Sequence, residues 1–170
     1  MSDPTVLAGQ LNQHRAEMSR TLMSEGGTVM QFVGDAVMAV FGAPFPQPDH
    51  AARALHAALA MHAAQDSVNQ QWERQGLPAF HLGIGISTGD VAAALLGSEE
   101  RLEYSVVGDA VNLAQRLQQW GAAGQTVLSD PTFAALDAKP DCERLEPAKV
   151  KGRQTPVGAY RLEAVLRVTS

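Results

Sequence analysis

The sequence has few cysteines, few basic residues and no long apolar run, and each shortage excludes a class of protein. Its single cysteine, Cys142, excludes an internal disulfide and a zinc site built on cysteine pairs. The 13 lysines and arginines against 18 acidic residues give a net charge of −5, which argues against general nucleic-acid binding. No apolar run approaches the ~18 residues of a membrane span, and the first residues lack the pattern of a signal peptide. We therefore expect a cytoplasmic protein.

The residues that are present are typical of an ordinary globular chain. Apolar residues make up 45% and charged residues 18% of the 170, which is enough apolar material for a buried core. A chain of this length most simply forms one domain, so we predict a single domain over residues 1–170. The acidic balance also means that any polyphosphate ligand needs locally placed cations or metal ions.

The most informative stretch is the apolar segment at residues 29–41. It predicts two short strands joined at Gly34-Asp35, because Gly and Asp tolerate the positive φ of a two-residue hairpin turn. Asp35 is the only charged residue within the segment. From the spacing alone, Asp35 is either a turn residue that bonds its own backbone or a carboxylate that handles a metal or a phosphate.

Periodicity, caps and breakers predict an α+β fold in which helices cover a sheet. The first helix leads directly into the hairpin, although split βαββαβ units begin with a strand. Asp49 is expected to cap the second helix, and the glycines at residues 80–87 predict the close approach of another backbone. The predicted helices are 4–24, 50–74, 108–120 and 130–136; the predicted strands beyond the hairpin are 80–87, 102–107, 125–129, 144–150 and 157–168, and the segments 91–96 and 102–107 could form an arm.

Two groups of polar residues are candidates for a functional site. Asn112 and Arg116 stand one helical turn apart, and therefore on one face of the third helix. Spacing alone favours an ordinary solvated face for this pair. Lys151 stands beside Gly152 near a predicted strand end, which is either a solvated edge or a place where a backbone and an ammonium group can approach phosphate.

Several motifs, taken together, resemble the catalytic domain of class III adenylate/guanylate cyclases. They follow one another in the family's order and cover nearly all of the chain. They are Gly26-Gly-Thr-Val29, Phe32-Val-Gly-Asp-Ala-Val-Met-Ala-Val-Phe-Gly-Ala-Pro44, Asp49-His-Ala-Ala-Arg53, Gly83-Ile-Gly-Ile-Ser-Thr-Gly89, Glu103-Tyr-Ser-Val-Val-Gly-Asp-Ala-Val-Asn-Leu-Ala-Gln-Arg-Leu117 and Val150-Lys-Gly-Arg153.

The resemblance implies a fold, a reaction and an assembly. The fold is a ferredoxin-like βαββαβ core with additional strands. Two such domains pair head to tail, as a homodimer or with a related cyclase domain, and the active sites form at the interface. There the 3′-hydroxyl of ATP or GTP attacks its own α-phosphate and expels pyrophosphate, assisted by two divalent metal ions, Mg²⁺ or Mn²⁺. The product is the 3′,5′-cyclic nucleotide used in intracellular signalling.

The same resemblance assigns roles to four residues of this chain. Asp35 matches one of the two aspartates that hold the metal ions. Asn112 matches the residue that positions the ribose, which orients the attacking hydroxyl. Arg116 matches the cation that meets charge developing at the α-phosphate. Lys151 matches the lysine that faces the terminal phosphates.

Two further residues occupy the positions that select the purine base. Adenine-selective members of the family place a lysine and an aspartate or threonine there, and guanine-selective members tend to carry glutamate and cysteine. Here the two positions are Gln31 and Ser105. The Gln31 amide can both donate and accept, so it suits either purine. Ser105 is closer to threonine than to cysteine as a hydrogen-bonding group, which favours ATP over GTP.

The chain departs from the family at its start. Members begin with a central strand that holds the second metal aspartate, followed by a Gly-Phe-Thr/Ser turn that grips the triphosphate, and no early residue such as Asp3 matches that setting. We therefore expect an N-terminally incomplete domain with one recognisable metal ligand, a weakened core and little or no cyclase activity by itself. The alternative is a catalytically inactive, cyclase-like dimerisation or regulatory module.

Overall fold

A computed structural model describes residues 3–98, 101–150, 153 and 155–163 of the chain. Helices and strands alternate, and the α+β fold that the sequence predicts is confirmed. The helices are α1 (Pro4–Ser24), α2 (His50–Arg74), α3 (Asp109–Gln119) and α4 (Asp130–Ala134). The strands are β1 (Thr28–Val33), β2 (Ala36–Val40), β3 (Ile84–Ile86), β4 (Ala92–Ser98), β5 (Arg101–Val107), β6 (Gln125–Ser129), β7 (Glu143–Arg144) and β8 (Ala159–Glu163).

The helices and the hairpin match the sequence-based predictions closely, whereas several strands differ. The strand predicted at residues 80–87 is confined to Ile84–Ile86, because only these residues pair with β6. Strand β4 was predicted only as an apolar segment; it pairs along its whole length with β5, which forms the predicted arm. The strand predicted at 144–150 is reduced to β7 and to a bridge between Ala148 and Val157. The end of the strand predicted at 157–168 lies outside the described residues.

The N-terminal caps of the first two helices differ, because only one of the two aspartates forms a capping hydrogen bond with its side chain. The Asp3 carboxylate accepts a hydrogen bond from the Thr5 amide at 2.8 Å, and Pro4 occupies the first turn, as expected for a helix start. Asp49 stands at the N-cap of α2, but its side chain makes no capping hydrogen bond. It instead accepts from the Arg53 guanidinium at 2.8 Å, so Asp49 occupies the predicted cap position without a side-chain capping bond.

The two long helices pack on each other and on the hairpin. Met18 and Leu22 of α1 are buried against Ala57 and Met61 of α2, and apolar hairpin side chains such as Val37 close this part of the core. Small residues on α2 allow the close packing that its alanine-rich sequence indicates. Among the helices of the described residues, none has both the length and the apolar character needed to cross a membrane.

The described strands form separate sheets with a groove between two of them. The hairpin β1–β2 stands alone, and the four-stranded sheet has the order β3-β6-β8-β7. A groove of about 490 Å³ separates β2 from β3, and its wall includes Ala51, Ala54 and Ala58 of α2. No strand of the described residues lies between β2 and β3. The expectation that a central strand of the family's sheet is missing stays a prediction.

Candidate active site

The hairpin presents Asp35 to solvent. Val33 pairs with Ala36, so Gly34 and Asp35 are the two turn residues that the sequence predicts. Gly34 has φ +59°, which is a left-handed conformation that glycine adopts without steric cost. Residues 31–36 are all exposed. No described residue forms a hydrogen bond with the Asp35 carboxylate, so the simple role of a turn aspartate bonded to its own backbone is not what the structure contains.

One contact at the hairpin tip was not predicted from the sequence. The guanidinium of Arg15, on α1, donates a hydrogen bond to the Gly34 carbonyl and lies 5.4 Å from the centroid of the Phe32 ring. Arg15 is far from the hairpin along the chain, and no pattern of neighbouring residues predicts the contact. Only the packing of α1 beside β1 brings it about.

Helix α3 presents the second group of candidate residues. Asn112 and Arg116 are exposed on one face, as their spacing predicts. Leu113 and Leu117 are buried on the other side, where they pack against Val127 and neighbouring apolar residues of the sheet. The amphipathic pattern of the helix therefore fixes which side chains remain available to a ligand or to a partner.

The position of α3 depends on a glycine in the neighbouring strand. A Cβ atom on Gly85 would lie 2.2 Å from the Ala114 carbonyl oxygen and 2.5 Å from the Gln118 amide nitrogen. The backbones of β3 and α3 can therefore come this close only because residue 85 has no side chain. This confirms the close backbone approach that the glycines of this segment predict.

The residues expected at the purine base lie on neighbouring elements. Gln31 is exposed on β1, next to a register irregularity between Val29 and Gln31. Ser105 is half-buried on β5 and pairs with Ala94. Strands β1 and β5 are in contact, so the fold brings the two elements of the predicted base site together.

The segment that contains Lys151 is described only in part. Lys151 lies outside the described residues, so its predicted role at the phosphates stays a prediction. Arg153, two residues further on, forms an ion pair with Asp109 in the first turn of α3. This pair brings the end of the Val150-Lys-Gly-Arg153 motif next to the helix of Asn112 and Arg116.

The described candidate residues lie on elements that have different packing partners. The hairpin packs on α1 and β5, whereas α3 packs on β3 and β6. The groove lies between them, with β2 on one wall and Ala110, Val111 and Ala114 of α3 on another. Asp35 and the Asn112–Arg116 pair therefore belong to different parts of the domain.

The described residues fit a metal ion only as a single ligand. A carboxylate such as Asp35 is the hard oxygen ligand that Mg²⁺ and Mn²⁺ prefer, and Mg²⁺ often uses one or two carboxylates together with substrate phosphates. Within the described ranges, no three histidine, cysteine, aspartate or glutamate side chains converge on one point. The part of the chain that the structure describes therefore contains no complete protein site for a metal, and the role of Asp35 as one ligand stays a prediction.

Comparison with known proteins identifies the class of protein that has this fold and these motifs. Residues 1–164 match the family model described as the Adenylate and Guanylate cyclase catalytic domain. The chain belongs to the class III adenylate/guanylate cyclase family. The resemblance inferred from the motifs is thereby confirmed, and so is the cyclase-type α+β fold.

Individual relatives include both kinds of cyclase. The chain is 32% identical to adenylate cyclase 1 of Rhizobium meliloti (strain 1021) over 171 residues, which cover 98% of the chain and 25% of that protein. It is 32% identical to the solved adenylyl cyclase CyaB from P. aeruginosa, with a TM-score of 0.89 over 94% of this chain and 83% of that one. It is 34% identical to the solved guanylyl cyclase Cya2, with a TM-score of 0.86 over 94% of this chain and 81% of that one. The chain thus spans about a quarter of the Rhizobium relative.

Proposed function

We propose that residues 1–170 are a single domain of the nucleotide cyclase catalytic type, whose reaction is the conversion of ATP, and less readily GTP, to the 3′,5′-cyclic nucleotide and pyrophosphate. The observation that supports this most directly is helix α3. It exposes Asn112 and Arg116 on one face while its apolar face is buried, in a chain that belongs to the cyclase family. An amide and a guanidinium one turn apart suit a ribose hydroxyl and a phosphate, respectively.

In this proposal, the protein's contribution is to orient the nucleotide and to stabilise charge. The Asn112 amide holds the ribose so that the 3′-hydroxyl is in line with the α-phosphate. The Arg116 guanidinium stabilises the negative charge that develops on the α-phosphate oxygens as pyrophosphate leaves. Lys151 pairs with the terminal phosphates. Asp35 is one ligand of the divalent metal ions, whose role when bound is to neutralise the triphosphate and to acidify the hydroxyl.

Two observations support a head-to-tail homodimer, or a pair with a related cyclase domain, as the active form. The hairpin of Asp35 and the helix of Asn112 and Arg116 have different packing partners and lie on different walls of the groove, which fits a site that a second chain completes. Apolar side chains are also exposed near the hairpin tip and on the arm: Phe32 is 41%, Val33 62% and Val107 47% exposed. Exposed apolar side chains on contacting strands are typical of a surface that meets a partner.

The purine preference that we propose depends on Gln31 and Ser105. Gln31 is exposed on β1 and can turn its amide to match either base edge. Ser105 on β5 offers a hydroxyl where threonine would serve adenine. The relatives do not decide the preference, because a solved guanylyl cyclase and a solved adenylyl cyclase have similar sequence identity to this chain, 34% and 32%.

A second candidate function is a catalytically inactive cyclase-like module that pairs with another domain and regulates it. The observation that favours it is the open groove between β2 and β3, together with a single recognisable metal aspartate. The coding sequence upstream of Met1 discriminates between the two functions. An in-frame apolar strand with an aspartate and a Gly-Phe-Thr/Ser turn supports the enzyme, and its absence supports the inactive module.

The direct test measures cAMP and cGMP formation with Mn²⁺ and each nucleoside triphosphate. The 170-residue chain by itself is expected to give little or no product, whereas a form that also carries a strand with the second metal aspartate is expected to be active on ATP. Asp35→Ala should abolish that activity, and Asp66→Ala, an exposed aspartate on α2, is the matched control that should leave it unchanged. Robust turnover by the 170-residue chain that depends on Asp35 would overturn the expectation of an incomplete site.

A further inference from the structure

Arg15 links the body of the domain to the turn that contains Asp35. Its guanidinium donates to the Gly34 carbonyl and covers the Phe32 ring, so it touches the hairpin on both sides of Val33. Its Nε atom is buried, with no hydrogen-bond partner among the described residues. The side chain is therefore held in place against the hairpin and does not extend freely into solvent.

The helix segment from which Arg15 projects is firmly anchored. The neighbouring His14 is buried and shares a 2.7 Å hydrogen bond with Gln65 of α2. Gln13 accepts a hydrogen bond of 2.9 Å from the indole nitrogen of the buried Trp72. These two contacts fix the backbone of α1 relative to α2 immediately before Arg15. The packing of α1 on α2 therefore determines where the Arg15 guanidinium contacts the hairpin tip.

The hairpin tip needs such an anchor. Residues 31–36 are exposed, so side-chain packing restrains them little. Gly34 is the residue type with the greatest backbone freedom. The Gly34 carbonyl and the Asp35 amide share one planar peptide unit, so a donor that holds the carbonyl also restrains the direction in which the Asp35 Cα–Cβ bond points.

We infer that Arg15 is a positioning residue for the reaction proposed above: it holds the Gly34–Asp35 peptide unit so that the Asp35 carboxylate is presented to a divalent cation. The inference rests on the proposed function for the metal-binding role of Asp35. The contact between Arg15 and Gly34 is observed independently of that function. The planar guanidinium donates to the Gly34 carbonyl and lies over the Phe32 ring at once. A lysine could donate, but its compact ammonium would cover less of the ring, so it should substitute only in part.

The test uses three variants of α1 residues in the full encoded protein. Arg15→Met removes the donor and keeps most of the side-chain volume, and Arg15→Lys keeps a cationic donor. Arg20→Met is the matched control, because Arg20 is exposed on the same helix and pairs only with Glu17 of that helix among the described residues. Amide hydrogen exchange of the peptide that spans residues 31–41 is measured, and Mn²⁺ binding without nucleotide is followed by electron paramagnetic resonance.

Arg15→Met is expected to speed exchange at the hairpin tip about three- to tenfold, as loss of a charged hydrogen-bond donor at an exposed site should. It should weaken Mn²⁺ binding by a similar factor, with exchange in α2 unchanged. Arg15→Lys should recover part of both effects, and Arg20→Met should show neither. Unchanged exchange at the tip in Arg15→Met, or equal effects in Arg20→Met, would overturn the inference.

A fourth variant, Asp35→Asn, separates this inference from the proposed function. If Asp35→Asn leaves Mn²⁺ binding as it is in the unaltered protein, then the metal role of Asp35 is wrong. The exchange measurement still decides whether Arg15 holds the turn, because it involves neither metal nor turnover. If Asp35→Asn abolishes binding and Arg15→Met leaves both measurements unchanged, the positioning role alone is wrong.

Discussion

Gly85 of β3 lies directly against the backbone of Ala114 on α3, where a Cβ atom at residue 85 would come within 2.2 Å of the Ala114 carbonyl oxygen. A backbone atom cannot move aside as a flexible side chain can. The contact therefore sets the distance between the sheet and the helix that exposes Asn112 and Arg116. A side chain at residue 85, although it takes no part in the proposed reaction, should therefore displace the helix of Asn112 and Arg116.

Gly85→Ala is accordingly expected to destabilise the domain by at least about 2 kcal/mol, the range of an overpacked interior. Denaturant unfolding followed by circular dichroism measures the free energy of unfolding. Gly83→Ala is the matched control in the same segment, because a Cβ there would meet its nearest atom at 3.5 Å, an ordinary contact. Equal losses for the two variants would contradict the close packing of α3 on β3.

The proposed head-to-tail assembly predicts that two inactive variants of the full encoded protein restore activity when mixed. In a mixed dimer of Asp35→Ala and Arg116→Ala chains, one of the two sites receives both changes and the other receives neither. Cyclase activity should therefore recover to about a quarter of the unaltered level, because half the dimers are mixed and half of their sites are intact. Cyclic nucleotide formation after co-refolding measures this, and two preparations of one variant mixed together serve as the control. No recovery would mean that each site is built within one chain.

Arg116→Ala should reveal whether the guanidinium acts on the transition state. A donor aimed at charge that develops during reaction contributes about a hundredfold to kcat. We therefore expect kcat of the full encoded protein to fall by about this factor, with a much smaller effect on nucleotide binding. Steady-state kinetics and equilibrium binding of a non-hydrolysable analogue separate the two quantities. Equal effects on turnover and on binding would contradict the transition-state role.

His62 should make the stability of the domain depend on pH. It is buried on α2, 3.1 Å from the Thr126 hydroxyl, and burial lowers the pKa of its imidazole in the folded state. As the pH falls below about 6.5, the unfolded chain binds a proton at this residue before the folded one does, so the free energy of unfolding should decrease. The decrease should continue until the pH reaches the lowered pKa of the folded state and then level off.

Thermal unfolding between pH 8 and pH 5 checks this expectation. His62→Gln should flatten the dependence, although it also lowers stability at neutral pH because the Thr126 contact changes. His56→Gln is the control, since His56 is exposed on the same helix and the curve should keep its shape. A curve unaltered by His62→Gln would show that other groups are responsible for the acid sensitivity.

The sequence predicts most of the local structure because local signals determine it. The break at Gly26-Gly27 ends α1, and Gly34-Asp35 closes the hairpin, within one or two residues of the predicted positions. The extents of the strands were less predictable, because the length of a strand depends on its partner. Residues 80–83 have the alternation of a strand, yet only Ile84–Ile86 pair with β6. The contact between Arg15 and Gly34 was likewise not predicted, because it depends on how α1 packs beside the hairpin.

The sequence by itself determined the family, the α+β class and the face of α3 that exposes Asn112 and Arg116. The family and the fold class follow from sequence motifs, and the exposed face follows from the helical period of α3. Both signals lie in residues that are close together along the chain. The tertiary structure alone decided that the hairpin of Asp35 and helix α3 border one groove, with β2 on one wall and α3 on another. It also decided that a guanidinium on α1 holds the turn of Asp35. Such relations arise between segments distant in the chain, where packing and not local propensity sets the distance.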